Sequence, residues 1–137
     1  MADKLTKQAL AAQRKQLKVR LWREREVGLP VPPCDYCNEP MRHPDDCVMH
    51  EWLIKRGRLP IAVQYKIMHP YNCSLLHVEC HSQYGQTREC KLRCAKAMYE
   101  RYGRNVIAAW VGGLGLRQGV EIPHLERGDF ENETEKH

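Results

Sequence analysis

The sequence predicts an α+β fold: a small core of two short strands and a following helix, pinned by a metal and extended by helices at both ends. Three observations predict it. Close pairs of ligand-type side chains, Cys34/Cys37 and His77/Cys80, each have two residues between them, and 39 residues separate the pairs. Two short apolar runs lie near residues 47–53 and 74–76. Helical patterning takes over from about Val78, and the first 26 residues are rich in good helix formers.

At 137 residues the chain makes one domain with an added helix and a tail. Residues 1–28 are expected to form a basic N-terminal helix, residues 29–116 the metal-binding domain with its C-terminal helices, and residues 117–137 an acidic, disordered tail. Within the first segment, residues 3–26 carry a partial apolar stripe of Leu5, Ala9, Ala12, Leu17 and Leu21, with Val19 and Trp22 at its edge. Asp3 is placed to cap it. Gly28 followed by Pro30, Pro32 and Pro33 stops it. Packing on the domain, binding a partner helix and lying along phosphates all suit this helix. The proline-rich GLPVPP leads into Cys34-Asp35-Tyr36-Cys37, a polar loop follows, and Cys47 to Leu53 reads as the first strand. Lys55-Arg56-Gly57-Arg58 is a cationic turn, residues 61–68 are apolar without a decisive period, and Pro70-Tyr71-Asn72 turns the chain into the second strand. Beyond Val78, Cys94, Met98, Tyr102 and Val106 recur at i+4; Gly103 divides this stretch into two helices, and Gly112-Gly113 ends the second.

Four soft or borderline ligands in two close pairs can close a tetrahedral zinc site. Cys34, Cys37, His77 and Cys80 are therefore assigned to structural Zn²⁺. Cys73, or the x3 pair Cys90/Cys94, competes with His77 for a place in it, while Cys47 and Cys73 read as packing residues of the strands. A second set, His50, Glu51, Asn72 and His81, has the chemistry to hold a harder ion and to move protons. His50 and Glu51 are neighbours on one strand and so point to opposite faces, unless a bulge or a strand end intervenes. The Asn72 carbonyl is placed to orient a histidine. Two metal roles in so short a chain point to a small metal-dependent nuclease.

Charge and composition narrow the class. The net charge is +5, but the last fourteen residues carry −3, so the first 123 carry +8, and residues 1–26 alone carry +5. A basic body suits a polyanion such as nucleic acid. No run of eighteen apolar residues offers a membrane span. The N-terminus lacks the apolar stretch of a signal peptide. Seven cysteines in a chain without an export signal suit a reduced compartment and metal binding better than a disulfide framework, so a cytoplasmic location and no membrane partner are expected.

The order Cys-x2-Cys, His-Glu, Asn, then His-x2-Cys-His resembles the HNH endonuclease family, whose fold is the ββα-metal motif. The resemblance covers about residues 34–84, and its nearest form is a phage-encoded variant in which His-Glu precedes a basic stretch, here HEWLIKRGRLP, with NCSLLHVECH following. The resemblance implies a divalent-metal-dependent nuclease that cuts or nicks DNA, in a bacterial cell or phage-infected host, alone or as a subunit of a larger phage or host complex. It places Asn72 at the motif's central Asn and His81 at its last His, a ligand of a catalytic Mg²⁺ or Mn²⁺ together with His50. Aligned on the apolar residue that follows, His50 takes the metal position and Glu51 the base. Aligned on histidine identity, His50 is the base and Met49, a poor ligand for hard ions, takes the metal position. Lys55, Arg56 and Arg58 are placed to clamp the phosphodiester backbone. The alternative is a catalytically degenerate DNA-binding or protein-interaction module on the same fold.

Overall fold

A computed structural model describes residues 6–117 and 119–125. In chain order the elements are α1 (Lys7–Arg25), β1 (Cys47–Glu51), α2 (Ile61–Ile67), β2 (Cys73–His77), α3 (Val78–Tyr84), α4 (Arg88–Tyr102) and α5 (Arg104–Gly113). The fold is α+β. β1 and β2 pair antiparallel in the register Cys47–His77, Met49–Leu75, His50–Ser74 and Glu51–Cys73. Among the described residues no helix is long and apolar enough to cross a membrane.

α1 starts at Thr6, whose hydroxyl accepts from the Ala9 N–H at 3.0 Å; Asp3, the expected cap, lies outside the described residues. Of the three roles open to this helix, the fold gives it the first: it packs on the domain. Its buried face is Leu10, Leu17, Leu21, Trp22 and Arg25. Ala9 and Ala12 are exposed instead, because a contact through the larger leucines one step round the helix buries more apolar area. The Tyr65 hydroxyl of α2 donates to the Thr6 carbonyl at 3.0 Å and ties the start of α1 down.

Each strand is entered through the same device. His43-Pro44 and His69-Pro70 open short 3₁₀ turns, and in each the histidine Nδ1 accepts the N–H two residues on, at 3.0 and 3.1 Å. Both histidines are thus caps. β1 ends at Glu51, two residues before the expected limit; Trp52 and Leu53 turn inward and are buried.

α4 buries Cys90, Cys94, Ala95 and Met98, and Cys94 Sγ reaches Ser74 of β2. Gly103, at φ 90°, takes a conformation that suits glycine and divides α4 from α5. The break resets the helical phase. Ile107 is therefore fully buried, and Val106, which continued the i+4 series in the sequence, is 46% exposed. Residues 119–125 correct the tail expectation: Arg104 donates to the Ile122 and Pro123 carbonyls at 2.9 and 3.2 Å, and Tyr99 also donates to Pro123. The acidic stretch 126–137 lies outside the described residues.

One buried ion network joins these parts. Arg25 Nη1 is 2.6 Å from Asp35 Oδ2, with the two side chains 1% and 2% exposed. Asp35 Oδ2 also accepts the Leu75 N–H at 2.8 Å, Arg101 lies 3.7 Å from Oδ1, and Arg25 Nη2 donates to the Cys73 carbonyl at 3.2 Å. Removing one partner of a buried pair strands the other charge, so Asp35→Ala is expected to cost about 3–5 kcal/mol in urea unfolding at saturating zinc. A loss below about 1 kcal/mol would show that the network is not the tie described.

Candidate metal centre and cleft

The first ligand pair sits on a tight hairpin. Cys34 N–H donates to the Glu39 carbonyl and Met41 N–H to the Pro32 carbonyl, both at 2.9 Å, and Pro33 bridges Pro40. At the tip Asn38 has φ 65°, a left-handed conformation that asparagine tolerates. The second pair spans the strand–helix junction: His77 ends β2 and Cys80 lies in the first turn of α3. The ligand atoms of Cys34, Cys37, His77 and Cys80 all lie within 4.8 Å of one another, with His77 Nδ1 3.3 Å from Cys37 Sγ and 3.9 Å from Cys80 Sγ. His77 therefore completes the set, and Cys73 and the Cys90/Cys94 pair stand apart from it.

The surroundings suit a thiophilic ion. His77 Nε2 is 3.1 Å from the Pro40 carbonyl. A proton on Nε2 leaves the Nδ1 lone pair directed at the sulfurs, the usual outer-sphere arrangement of a ligating histidine. Cys34 Sγ accepts the N–H groups of Tyr36 and His77, both at 3.4 Å. Burial pushes the Cys34 thiol up, and burial with the neighbouring Cys34 and Cys37 pushes Cys80 to about 12. Three thiols this close cannot all ionise unless a cation shares the site. The cluster can thus hold a metal such as zinc.

Cys47 and Cys73 behave as packing residues: burial alone leads in raising them to about 11 and 12.

His50, Glu51 and His81 line one cleft of about 900 Å³. Glu51 reaches it because it is the last residue of β1, where alternation ends, so the two neighbours need no bulge. α1 forms the opposite wall and brings Lys7, Arg14 and Lys15; the turn after β1 brings Lys55 and Arg56. Arg58 is exposed and does not line the cleft. Arg56 Nε lies 3.1 Å from Glu51 Oε1. Glu51 Oε2 and Arg14 Nη1 are buried without a hydrogen-bond partner inside the protein. The His81 ring packs edge-on against His50 with centroids 5.1 Å apart. Burial, then the charge of His50, holds His81 below the usual histidine range, so its neutral form is favoured.

Asn72 corrects an expectation. It is fully buried and its amide is spent on backbone: Nδ2 donates to the Ile54 and Ile67 carbonyls at 2.8 and 3.1 Å, and Oδ1 accepts the Ile54 N–H at 2.7 Å. It therefore shapes the chain that follows β1 and orients no histidine.

His50 has partners the sequence did not suggest. It is 4% exposed and meets Cys90 and Cys94, the three ligand atoms lying within 4.8 Å of one another. Bonds from Cys94 and then His50 hold the Cys90 thiol down at about 5, although burial opposes them. The x3 spacing of Cys90 and Cys94 was the available signal; its counterpart lay 40 residues upstream on another element. The cations of α1 were equally visible as composition, but nothing local assigned them to this cleft.

In comparisons with family models, curated proteins and solved structures, nothing matches the chain.

Cys37→Ser is expected to remove the ion from the Cys34/Cys37/His77/Cys80 cluster, while Cys47→Ala leaves it in place. Metal content after desalting, read by mass spectrometry, checks this. Equal metal in the two variants would remove the cluster as the ligand set.

Proposed function

We propose that the protein is a metal-dependent endonuclease of the HNH type that cuts or nicks DNA in a bacterial or phage-infected cell. The observation that carries the reading is the meeting of His50, Glu51 and His81 in one cleft lined by five cations, one residue from zinc-type ligand Cys80. Two antiparallel strands followed by a helix, with the Cys/His cluster at the junction, support a ββα-metal core.

In this reading Lys7, Arg14, Lys15 and Lys55 neutralise the sugar–phosphate backbone, a sequence-independent and salt-sensitive form of binding. Arg14 lines the cleft with its buried Nη1 unpaired inside the protein, and a shift of the side chain toward the cleft would let that nitrogen donate to a phosphate oxygen. His81 and His50 would supply imidazole nitrogens to a divalent ion, which when bound would stabilise charge on the departing oxygen. Glu51 has one oxygen held by Arg56 and the other buried without a hydrogen-bond partner, so it is positioned by its neighbour, and a shift that opens the second oxygen to the cleft would let it take a proton from water. His50, enclosed with two thiols, suits a ligand better than a base.

A second reading has one specific observation in its favour. Because His50 is buried against Cys90, the same cleft on a catalytically silent fold would bind DNA, alone or within a larger complex, without cutting it.

Nicking of supercoiled plasmid across EDTA, Mg²⁺, Mn²⁺, Ni²⁺ and Zn²⁺ separates the two. Metal-dependent nicking is expected, with His81→Ala and Glu51→Gln each slowing it about 100-fold or more. No cutting under any ion, with DNA still retarded in a gel, favours the silent module; cutting unchanged in His81→Ala places the chemistry elsewhere.

The cleft cations make an independent prediction. The combined Arg14→Gln and Lys15→Gln change is expected to lower the slope of log affinity against log salt by about 2. An unchanged slope would mean that DNA lies on another face.

A further inference from the structure

We propose that His50, Cys90 and Cys94 form a second metal site, distinct from the hairpin cluster, that takes a thiophilic divalent ion of the zinc type. The proposal holds whether or not the protein cuts DNA; if the nuclease reading is right, the two share His50, and the ion beside the cleft is then zinc-like and not Mg²⁺.

The geometry starts with α4. Cys90 and Cys94 are one turn apart, which puts both thiols on the helix face that covers the sheet. Their sulfurs are 4.0 Å apart. Two thiolates on one tetrahedral zinc, each at about 2.3 Å, stand about 3.8 Å from one another. His50 reaches the pair from β1, and all three ligand atoms fall within 4.8 Å of one another. Ser74, directly across the ladder from His50, accepts from Cys94 Sγ at 3.3 Å and donates to the His50 carbonyl at 3.2 Å. The contact places the Ser74 hydroxyl behind Cys94; when the thiol gives up its proton to ligate, that hydroxyl can turn to donate to the sulfur, as outer-sphere partners do for metal ligands. His81 leans on His50 from the cleft side, so a fourth donor, histidine or water, enters from there.

The chemistry selects the ion. Two thiols and an imidazole suit zinc, cobalt or nickel and disfavour magnesium and calcium, which prefer oxygen. Two thiolates also cancel a double positive charge, which matters in a site this buried. A reactive cysteine is the rival use of a thiol beside a histidine. Both thiols are fully buried, so a substrate cannot reach them, whereas a bare ion can. Simple packing, the role of Cys47 and Cys73, does not account for a histidine brought to the same pair.

The test is titration of the reduced, metal-stripped full chain with Co²⁺, whose thiolate charge-transfer and d–d absorption count tetrahedral sulfur sites. The wild type is expected to take up about two equivalents. The Cys90→Ser, Cys94→Ser double variant and, separately, His50→Ala are expected to take up about one, with the hairpin spectrum intact; Cys37→Ser loses the other. His50→Ala leaves α4 unaltered, and circular dichroism verifies folding, so the test does not depend on the double variant surviving. A wild type that binds about one equivalent, or a thiol variant that still binds about two, overturns the proposal. So does a Cys90–Cys94 disulfide in protein purified under reducing conditions. Plasmid nicking is not the readout, so failure of the nuclease reading and failure of this one remain distinct.

Discussion

The buried carboxylate of Asp35 is the constraint on which the other parts depend. Asp35 lies between two ligands of the first pair, inside the hairpin turn, and is 8% exposed. An ionised carboxylate there is untenable alone. It is met by Arg25 from the end of α1, by Arg101 from α4 and by the backbone N–H of Leu75 from β2. Asp35 N–H returns a bond to the Leu75 carbonyl at 2.9 Å. Satisfying this one group thus requires four segments to dock together. A buried pair of this kind adds little net stability over an apolar replacement, and its effect is to favour one arrangement over others. Arg25 Nε, left without a partner, accords with a network that serves registration ahead of stability.

That registration assembles the ligand cluster. With Asp35 clamped to Leu75, the hairpin is aligned with β2 two residues before His77, which brings Cys34 and Cys37 to His77 and Cys80. Tyr36 then stacks on Tyr84 at 4.8 Å and lies under Arg93 of α4 at 4.6 Å, closing the hairpin against the two following helices. The cation-rich α1 is carried into place by the same Arg25. Its last turn enters the core while its first half, with Lys7, Arg14 and Lys15, forms a wall of the cleft. One helix thereby serves the core at one end and supplies cations to the cleft wall at the other.

The elements that local chemistry specifies were legible. β2 is framed by Pro70 before it and by the helical pattern after it, and Gly103 divides α4 from α5 where no other residue takes φ 90° easily. The zinc-type ligand set was legible too, because each x2 pair is a local feature and only the pairing is long-range. What local patterning obscured has particular causes. Asn72 sits where a catalytic amide would, but a buried amide binds whichever backbone groups surround it, and here those are Ile54 and Ile67. Val106 and Ile107 exchange roles because one glycine resets the helix phase. His43 and His69 cap the turns before the strands, since His-Pro presents Nδ1 to the second N–H beyond it.

By itself the sequence determined the α+β class, the glycine break between α4 and α5, the two ligand pairs and the excess of positive charge at the N-terminal end. These follow from residue type and short spacing. Only the tertiary structure decided that α1 is a wall of the cleft, that Glu51 turns into it at the strand end, and that Cys90 and Cys94 meet His50 and not the hairpin. Cys90 and Cys94 lie 40 and 44 positions from His50, and His81 lies 30 from Glu51. Backbone preferences act over a few residues, whereas the burial of Asp35 and the packing of α1 and α4 on the sheet choose which distant side chains become neighbours.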